Sequence, residues 1–255
     1  MKLITGFFMA WGNFLTLPCP LKKWDNDLKN YMLGFLPSVG LIVGLLWALL
    51  CLLMVWLAIP FLVMCFLLTL IPFALCGFMH LDGFMDCSDA ILSRKPLEEK
   101  QKILKDSHTG AFAVVSVVFL LLGFHAFLST AISQGLDFIN LCMLPIMSRG
   151  ISGIHVLCCK PIGHSQYAQG FGASDQKQKK KALIMLLLQL VLYCGIGLWF
   201  SANVTTSLFL LGAVILASCL AILFARCQLG GMSGDIAGYG IVWGELIGIL
   251  PLALI

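Results

Sequence analysis

The stretch FLVMCFLLTLIPFALCGFMHLDGFMDCSDAILSR, Phe61–Arg94, decides how this chain is read. Its first part, Phe61–Met79, carries no charge and is almost wholly apolar. A helix needs about 20 such residues to cross the hydrocarbon of a bilayer. Three aspartates then follow within one helical repeat: Asp82, Asp86 and Asp89. A bilayer span that runs straight into an anionic cluster, in a chain poor in charge, suggests chemistry at a membrane boundary.

The rest of the composition agrees. Of 255 residues, 60% are hydrophobic and 11% charged, with a mean hydropathy of +0.99. Soluble domains carry about 25% charged residues, so an ordinary soluble fold is excluded. The expected class is all-α: a polytopic integral membrane helical bundle, forming one membrane-embedded domain over residues 1–255. The start of the chain has Lys2 but no small-residue cleavage pattern, and is not read as a secretory signal. The eleven cysteines are odd in number, form no CxxC and mostly lie in apolar runs. They read as small apolar thiols packed between helices.

Seven spans are expected: Phe35–Ile59, Phe61–Met79, Gly110–Ile132, Phe138–Cys159, Ala182–Phe200, Ser207–Ala225 and Ile236–Ile255. Gly12, Asn13 and two prolines break the apolar segment Met1–Pro20, which reads as an interfacial or re-entrant helix. Basic residues sort to one side of these spans. Lys2, Lys22, Lys23 and Lys29 precede the first. Arg94, Lys95, Lys100, Lys102 and Lys105 follow the second, Lys160, Lys177, Lys179, Lys180 and Lys181 the fourth, and Arg226 the sixth. The positive-inside rule then puts these loops in the cytoplasm of a plasma-membrane protein. Asp82, Asp86, Asp89, Asp106 and Asp235 share that face, while Asp137 lies on the other.

Asp82, Asp86 and Asp89 are spaced i, i+4, i+7, one face of a helix. Like charges so arranged repel, and a cation between them turns repulsion into binding. Oxygen ligands of this kind suit Mg²⁺, which keeps several waters and bridges to substrate phosphate. The plainer account is a set of solvated acids after a span, one of them capping a helix. His80 beside them is placed to orient a carboxylate or touch a phosphate. In SRKPLEEKQKILKDSHTGAF, Ser93–Phe112, Arg94, Lys95 and Lys105 are candidates to hold a diphosphate. Asp106 is a candidate metal ligand or base. Lys100 and Lys102, interleaved with Glu98 and Glu99, read as an exposed helix face. Arg149, in PIMSRGISGI, falls at membrane depth and is a functional candidate by its cost alone, unless it snorkels to the interface. Asp235 follows the glycine-rich turn GGMSGD and precedes Glu245 by ten residues; both are candidates to bind metal or take a proton. His125 reads as a packing histidine.

Taken together, HLDGFMDCSDA, KDSHTGAF and GGMSGD followed by Glu245 resemble the signatures of the cobalamin synthase (adenosylcobinamide-GDP ribazoletransferase) family. NFLTLPCPLKKW and FLPSVGLIVGLL are similar to its N-terminal region, so the resemblance covers Asn13 to Ile255. Ala90, His108, Ala113 and Gln169 depart from its common pattern and bear on substrate contacts. The resemblance implies transfer of the cobinamide phosphate of adenosylcobinamide-GDP to α-ribazole or α-ribazole 5′-phosphate, with release of GMP, late in vitamin B12 assembly. It implies Mg²⁺ held by Asp82, Asp86 and Asp89, with Asp106 or Asp235 completing that set or acting as base. It also implies phosphate contacts from Arg94, Lys105 and His108, with Arg149 further in. Nothing points to nucleic acid, and self-association is left open. A CDP-alcohol phosphotransferase would also set aspartates on membrane helices, but LDGFMDCSDAILSR lacks the alanine-arginine pair usual after its first Asp-Gly. An ion-coupled transporter would need acids strung across the bilayer, whereas these gather at one face.

Overall fold

The computed structural model of the protein describes residues 2–162 and 176–254. Gln169, one of the departures above, lies outside the described residues. Eleven α-helices are present among those described: α1 (Lys2–Phe14), α2 (Lys29–Gly34), α3 (Leu36–Trp56), α4 (Phe61–Leu75), α5 (Met79–Leu92), α6 (Leu97–Ile103), α7 (Ala111–Ser133), α8 (Phe138–Cys158), α9 (Gln176–Phe200), α10 (Val204–Leu229) and α11 (Gly234–Leu254). The fold is all-α. Among the described residues, six helices are long and apolar enough to cross a bilayer: α3, α7, α8, α9, α10 and α11.

The second expected span is corrected. α4 stops at Leu75, and α4 and α5 meet the same length and hydropathy test only as a pair bent by 88°. The corner is Cys76–Phe78, where Gly77 (φ +60°) and Phe78 (φ +58°) both take the left-handed conformation. That region ends a right-handed helix, and it is costly for a bulky residue such as Phe78. Counting the pair as one broken crossing gives seven. Asp82, Asp86 and Asp89 therefore lie on α5, the second helix of this bent pair.

α1 is a short helix with one buried face. Thr5, Gly6, Met9, Ala10 and Phe14 are buried along one face, while Leu3 and Ile4 are exposed. Thirteen residues extend about 20 Å, short of the roughly 30 Å hydrocarbon. The helix lies against α2, Gly6 meeting Tyr31.

Packing between the spans uses small residues and a few buried polar ties, as lipid-embedded interfaces do. Backbones of α3 and α8 approach closely at Gly40 and Gly44, opposite Pro145 and Cys142. Trp47 stacks on Phe124 with ring centroids 6.0 Å apart and donates its Nε1–H to the Leu68 carbonyl at 2.9 Å. Ser38 of α3 donates to Gln189 Oε1 of α9 at 2.6 Å, and Gln189 Nε2 donates to the Gly34 carbonyl at 2.9 Å. His125 is a packing histidine as expected, its Nδ1 3.3 Å from Thr69 Oγ1. All eleven cysteines are free thiols.

The two ends of the bundle differ. At one end, Asp137 caps α8 by accepting from Ile139 N at 3.1 Å and accepts from Ala202 N at 2.8 Å, closing the turn between α9 and α10. The other end gathers α6, the segment Lys160–Ile162 and the turn before α11. There Ile162 N donates to the Met232 carbonyl, and Met232 N to the Lys160 carbonyl, each at 2.9 Å.

Candidate active site

α5 and α11 run antiparallel in close contact. Gly83 faces Asp235, and Gly238 faces His80. A Cβ added at Gly83 would stand 2.7 Å from Asp235 Cα, so only glycine admits this approach. It brings the aspartate face of α5 beside the start of α11. Asp86, half-buried, feels the charges of Asp82, Asp235 and Asp89 together. Asp89 packs against Gly110, the residue preceding α7. Four carboxylates thus share one patch contributed by two helices.

The start of α11 is itself a capped helix end. Ser233 Oγ accepts from Ile236 N at 3.3 Å and donates to Asp235 Oδ2 at 3.3 Å, the usual work of an N-cap serine. Asp235 is in the first turn, where the helix dipole favours an anion.

Beside the patch lies a cavity of about 400 Å³. Asn13, His80, Asp82, Lys105, Ser152, Ser233 and Asp235 supply its polar lining; Phe14, Leu33, Leu36, Met79, Leu104, Val156 and Ile241 supply the apolar walls. His80 is buried, and its Nε2 has no hydrogen-bond partner among the described residues.

The sequence-predicted residues divide by place. His80, Asp82, Lys105 and Asp235 line the cavity, with Asp86 and Asp89 next to them. Arg94 ends α5 in an exposed, left-handed position (φ +55°). Asp106 and His108 lie in the exposed loop before α7 and bond to each other, His108 Nδ1 to Asp106 Oδ1 at 2.6 Å. That bond holds the Asp106 carboxyl below the usual carboxylate range and raises the His108 imidazole. Arg149 and Glu245 pair with each other in the core at 2.5 Å and are not among the cavity-lining residues. Arg149 therefore does not snorkel; burial of a charge at that depth is met by an opposite charge.

One reading is overturned outright. Lys102 is exposed and paired with Glu99 at 2.7 Å, but Lys100 is buried, 8% exposed, with Nζ on Gln228 Oε1. Sequence reading also passed over Asn13, Ser152 and Ser233. The Ser-Gly-Asp order just before an apolar run is a helix-start signal for Ser233; Asn13 and Ser152 carry no local signal, because distant elements bring them to the cavity.

Among the described residues, no three carboxylate, imidazole or thiolate groups form a ready coordination shell for a metal ion. The donor set nonetheless suits a hard cation bound partly through water. It is all oxygen and multiply anionic, and it borders a cavity that also holds a lysine.

The cobalamin-5-phosphate synthase family model matches residues 6–253. A relative from Clostridium perfringens (strain 13 / Type A), named adenosylcobinamide-GDP ribazoletransferase, is 37% identical over 249 residues, covering 97% of this chain and 96% of its own. Proteins of the same name from Clostridium botulinum (strain Alaska E43 / Type E3) and Desulfitobacterium hafniense (strain Y51) are each 35% identical. The first covers 99% of this chain and 98% of its own; the second covers 93% and 92%. No solved structure matches the chain.

Proposed function

The chain belongs to the cobalamin-5-phosphate synthase family, and we propose that it is a membrane-embedded adenosylcobinamide-GDP ribazoletransferase. It joins the cobinamide phosphate of adenosylcobinamide-GDP to α-ribazole or its 5′-phosphate and releases GMP. The observation that carries this reading is one cavity edged by Asp82, Asp235, Lys105 and His80. A diphosphate donor calls for cationic clamps, and an alcohol acceptor calls for a base; both stand at the same opening.

In this reading the ribose hydroxyl of the acceptor attacks the phosphorus that bears the corrinoid arm. The new P–O bond forms as the bond to the GMP oxygen breaks, and GMP departs with that electron pair. Asp235 takes the hydroxyl proton. Its carboxylate sits at the cavity edge and is oriented by Ser233. Asp106 is the weaker candidate, since its bond to His108 lowers its basicity. Lys105 faces the diphosphate as a point charge, and His80 offers one ring nitrogen. Asp82, Asp86 and Asp89 would hold Mg²⁺, which when bound supplies neutralising charge to the diphosphate. A ready three-ligand shell is not required, because Mg²⁺ is commonly held by one or two carboxylates with waters and phosphate. Transfer of this type depends mainly on positioning and on charge stabilisation. The basic loops favour a cytoplasmic position for this end of the bundle, where a bulky donor reaches the opening without crossing the bilayer.

The test is reconstitution in nanodiscs with adenosylcobinamide-GDP, Mg²⁺, and α-ribazole or its 5′-phosphate in parallel. Free GMP and the joined corrinoid should appear in equal amounts. GMP without joined product, or neither, overturns the proposal.

A further inference from the structure

α6 is only seven residues long, Leu97–Ile103, yet it is tied firmly to a distant helix. Lys100 Nζ reaches Gln228 Oε1 at 2.5 Å, and Gln101 Nε2 donates to the Leu229 carbonyl at 2.8 Å. Both partners lie in the last turn of α10, just before Gly230 (φ +82°) ends it. Gln101 thereby satisfies one of the carbonyls that a helix C-terminus leaves open. The Lys100 side chain is buried along most of its length and spends its ammonium on a neutral amide. A methionine would fill much the same space without that hydrogen bond.

What the tie holds in place is visible one turn later. Leu104 N donates to the Lys100 carbonyl at 2.9 Å and Lys105 N to the Lys102 carbonyl at 3.1 Å, so the backbone from the tie to Lys105 is continuous helix and turn. Leu104 and Lys105 both line the cavity. Lys105 itself is exposed, next to Leu104, which is buried.

We propose that α6 is a strut: Lys100 and Gln101, docked on the end of α10, hold Lys105 at the cavity and so set the affinity for the phosphate-bearing donor. Lys100 is a positioning residue, acting through Lys105. The inference rests on the reading of this cavity as the diphosphate site.

The test compares Lys100→Met, which keeps length and apolar burial, with Lys100→Arg and with Lys102→Ala on the exposed side of the same helix. Lys100→Met should raise KM for adenosylcobinamide-GDP about tenfold, a factor equal to ~1.4 kcal/mol. It should leave kcat within about twofold and KM for α-ribazole unchanged. Lys100→Arg should restore most of the donor KM, and Lys102→Ala should leave it alone. An unchanged donor KM in Lys100→Met, a parallel rise in both KM values, or an equal effect of Lys102→Ala overturns the strut. Hydrogen exchange reads the same contact without turnover: Lys100→Met should speed amide exchange across residues 104–110, and unchanged exchange there overturns the proposal. If the native protein releases no GMP, the transferase reading fails, while the exchange result still decides the strut.

Discussion

Arg149 Nη1 lies 2.5 Å from Glu245 Oε1, and both side chains are almost wholly buried. Ser148 Oγ donates to the same carboxylate oxygen at 2.9 Å, and Arg149 Nη2 donates to Cys76 Sγ at 3.3 Å. One ion pair thus joins α8, α11 and the corner between α4 and α5. Removing one partner strands a buried charge, at a cost of about 3–5 kcal/mol. Glu245→Leu and Arg149→Met should each lower the unfolding temperature in detergent sharply. The double variant Arg149→Met/Glu245→Leu should recover most of the loss. Additive effects would mean that the pair is not coupled.

Asp82→Asn and Asp235→Asn should each reduce kcat for GMP release by about 10²-fold or more while leaving the unfolding temperature close to that of the native protein. Chelation of divalent cations should stop turnover, and added Mg²⁺ should restore it. Turnover unaffected by chelator would remove the metal from the mechanism.

His108 and Asp106 form an exposed pair whose pH behaviour has a definite sign. The imidazole is raised by its carboxylate partner, so what it contributes to loop order is complete below its ordinary value and is lost as pH rises through the raised one. The Asp106 carboxyl is lowered, so its contribution is complete above its ordinary value and is lost as pH falls through the lowered one. The contact is therefore strongest between the two. Nuclear magnetic resonance titration of His108 should show a midpoint above that of a free histidine, moving down in Asp106→Asn. An unmoved midpoint would break the pairing.

Gly83→Ala should force α5 and α11 apart, because the new methyl meets the backbone of Asp235. Overpacking of this kind costs about 1–3 kcal/mol. Transferase activity should fall further than stability does, since the displaced residue is the proposed base. Steady-state kinetics and thermal unfolding on the same preparation separate the two effects; equal losses would mean that the contact is only structural.

The features that sequence revealed are those set by local period. The i, i+4, i+7 aspartates share a helical face because helical geometry alone demands it, and six of the seven long apolar runs form helices long enough to cross a bilayer. Two of the misses share a cause. Lys100 looked like a surface residue among Glu98, Glu99 and Lys102, and its partner Gln228 is 128 residues away. Arg149 and Glu245 are 96 residues apart, and nothing near either of them names the other. The corner at Gly77–Phe78 was hidden for a different reason. Hydropathy counts apolar residues and is blind to the sign of φ, so two helices bent at a corner read as one continuous span.

The contact between Gly83 and Asp235 has a mechanical corollary. Where long side chains separate two helices, their rotamers cushion small movements. Here main chain rests on main chain, and a change in the inclination of α11 is passed undamped to the gap between its first acid and those of α5. Membrane thickness, which governs how far such helices lean, becomes a physical variable to which the spacing of the reacting groups must answer.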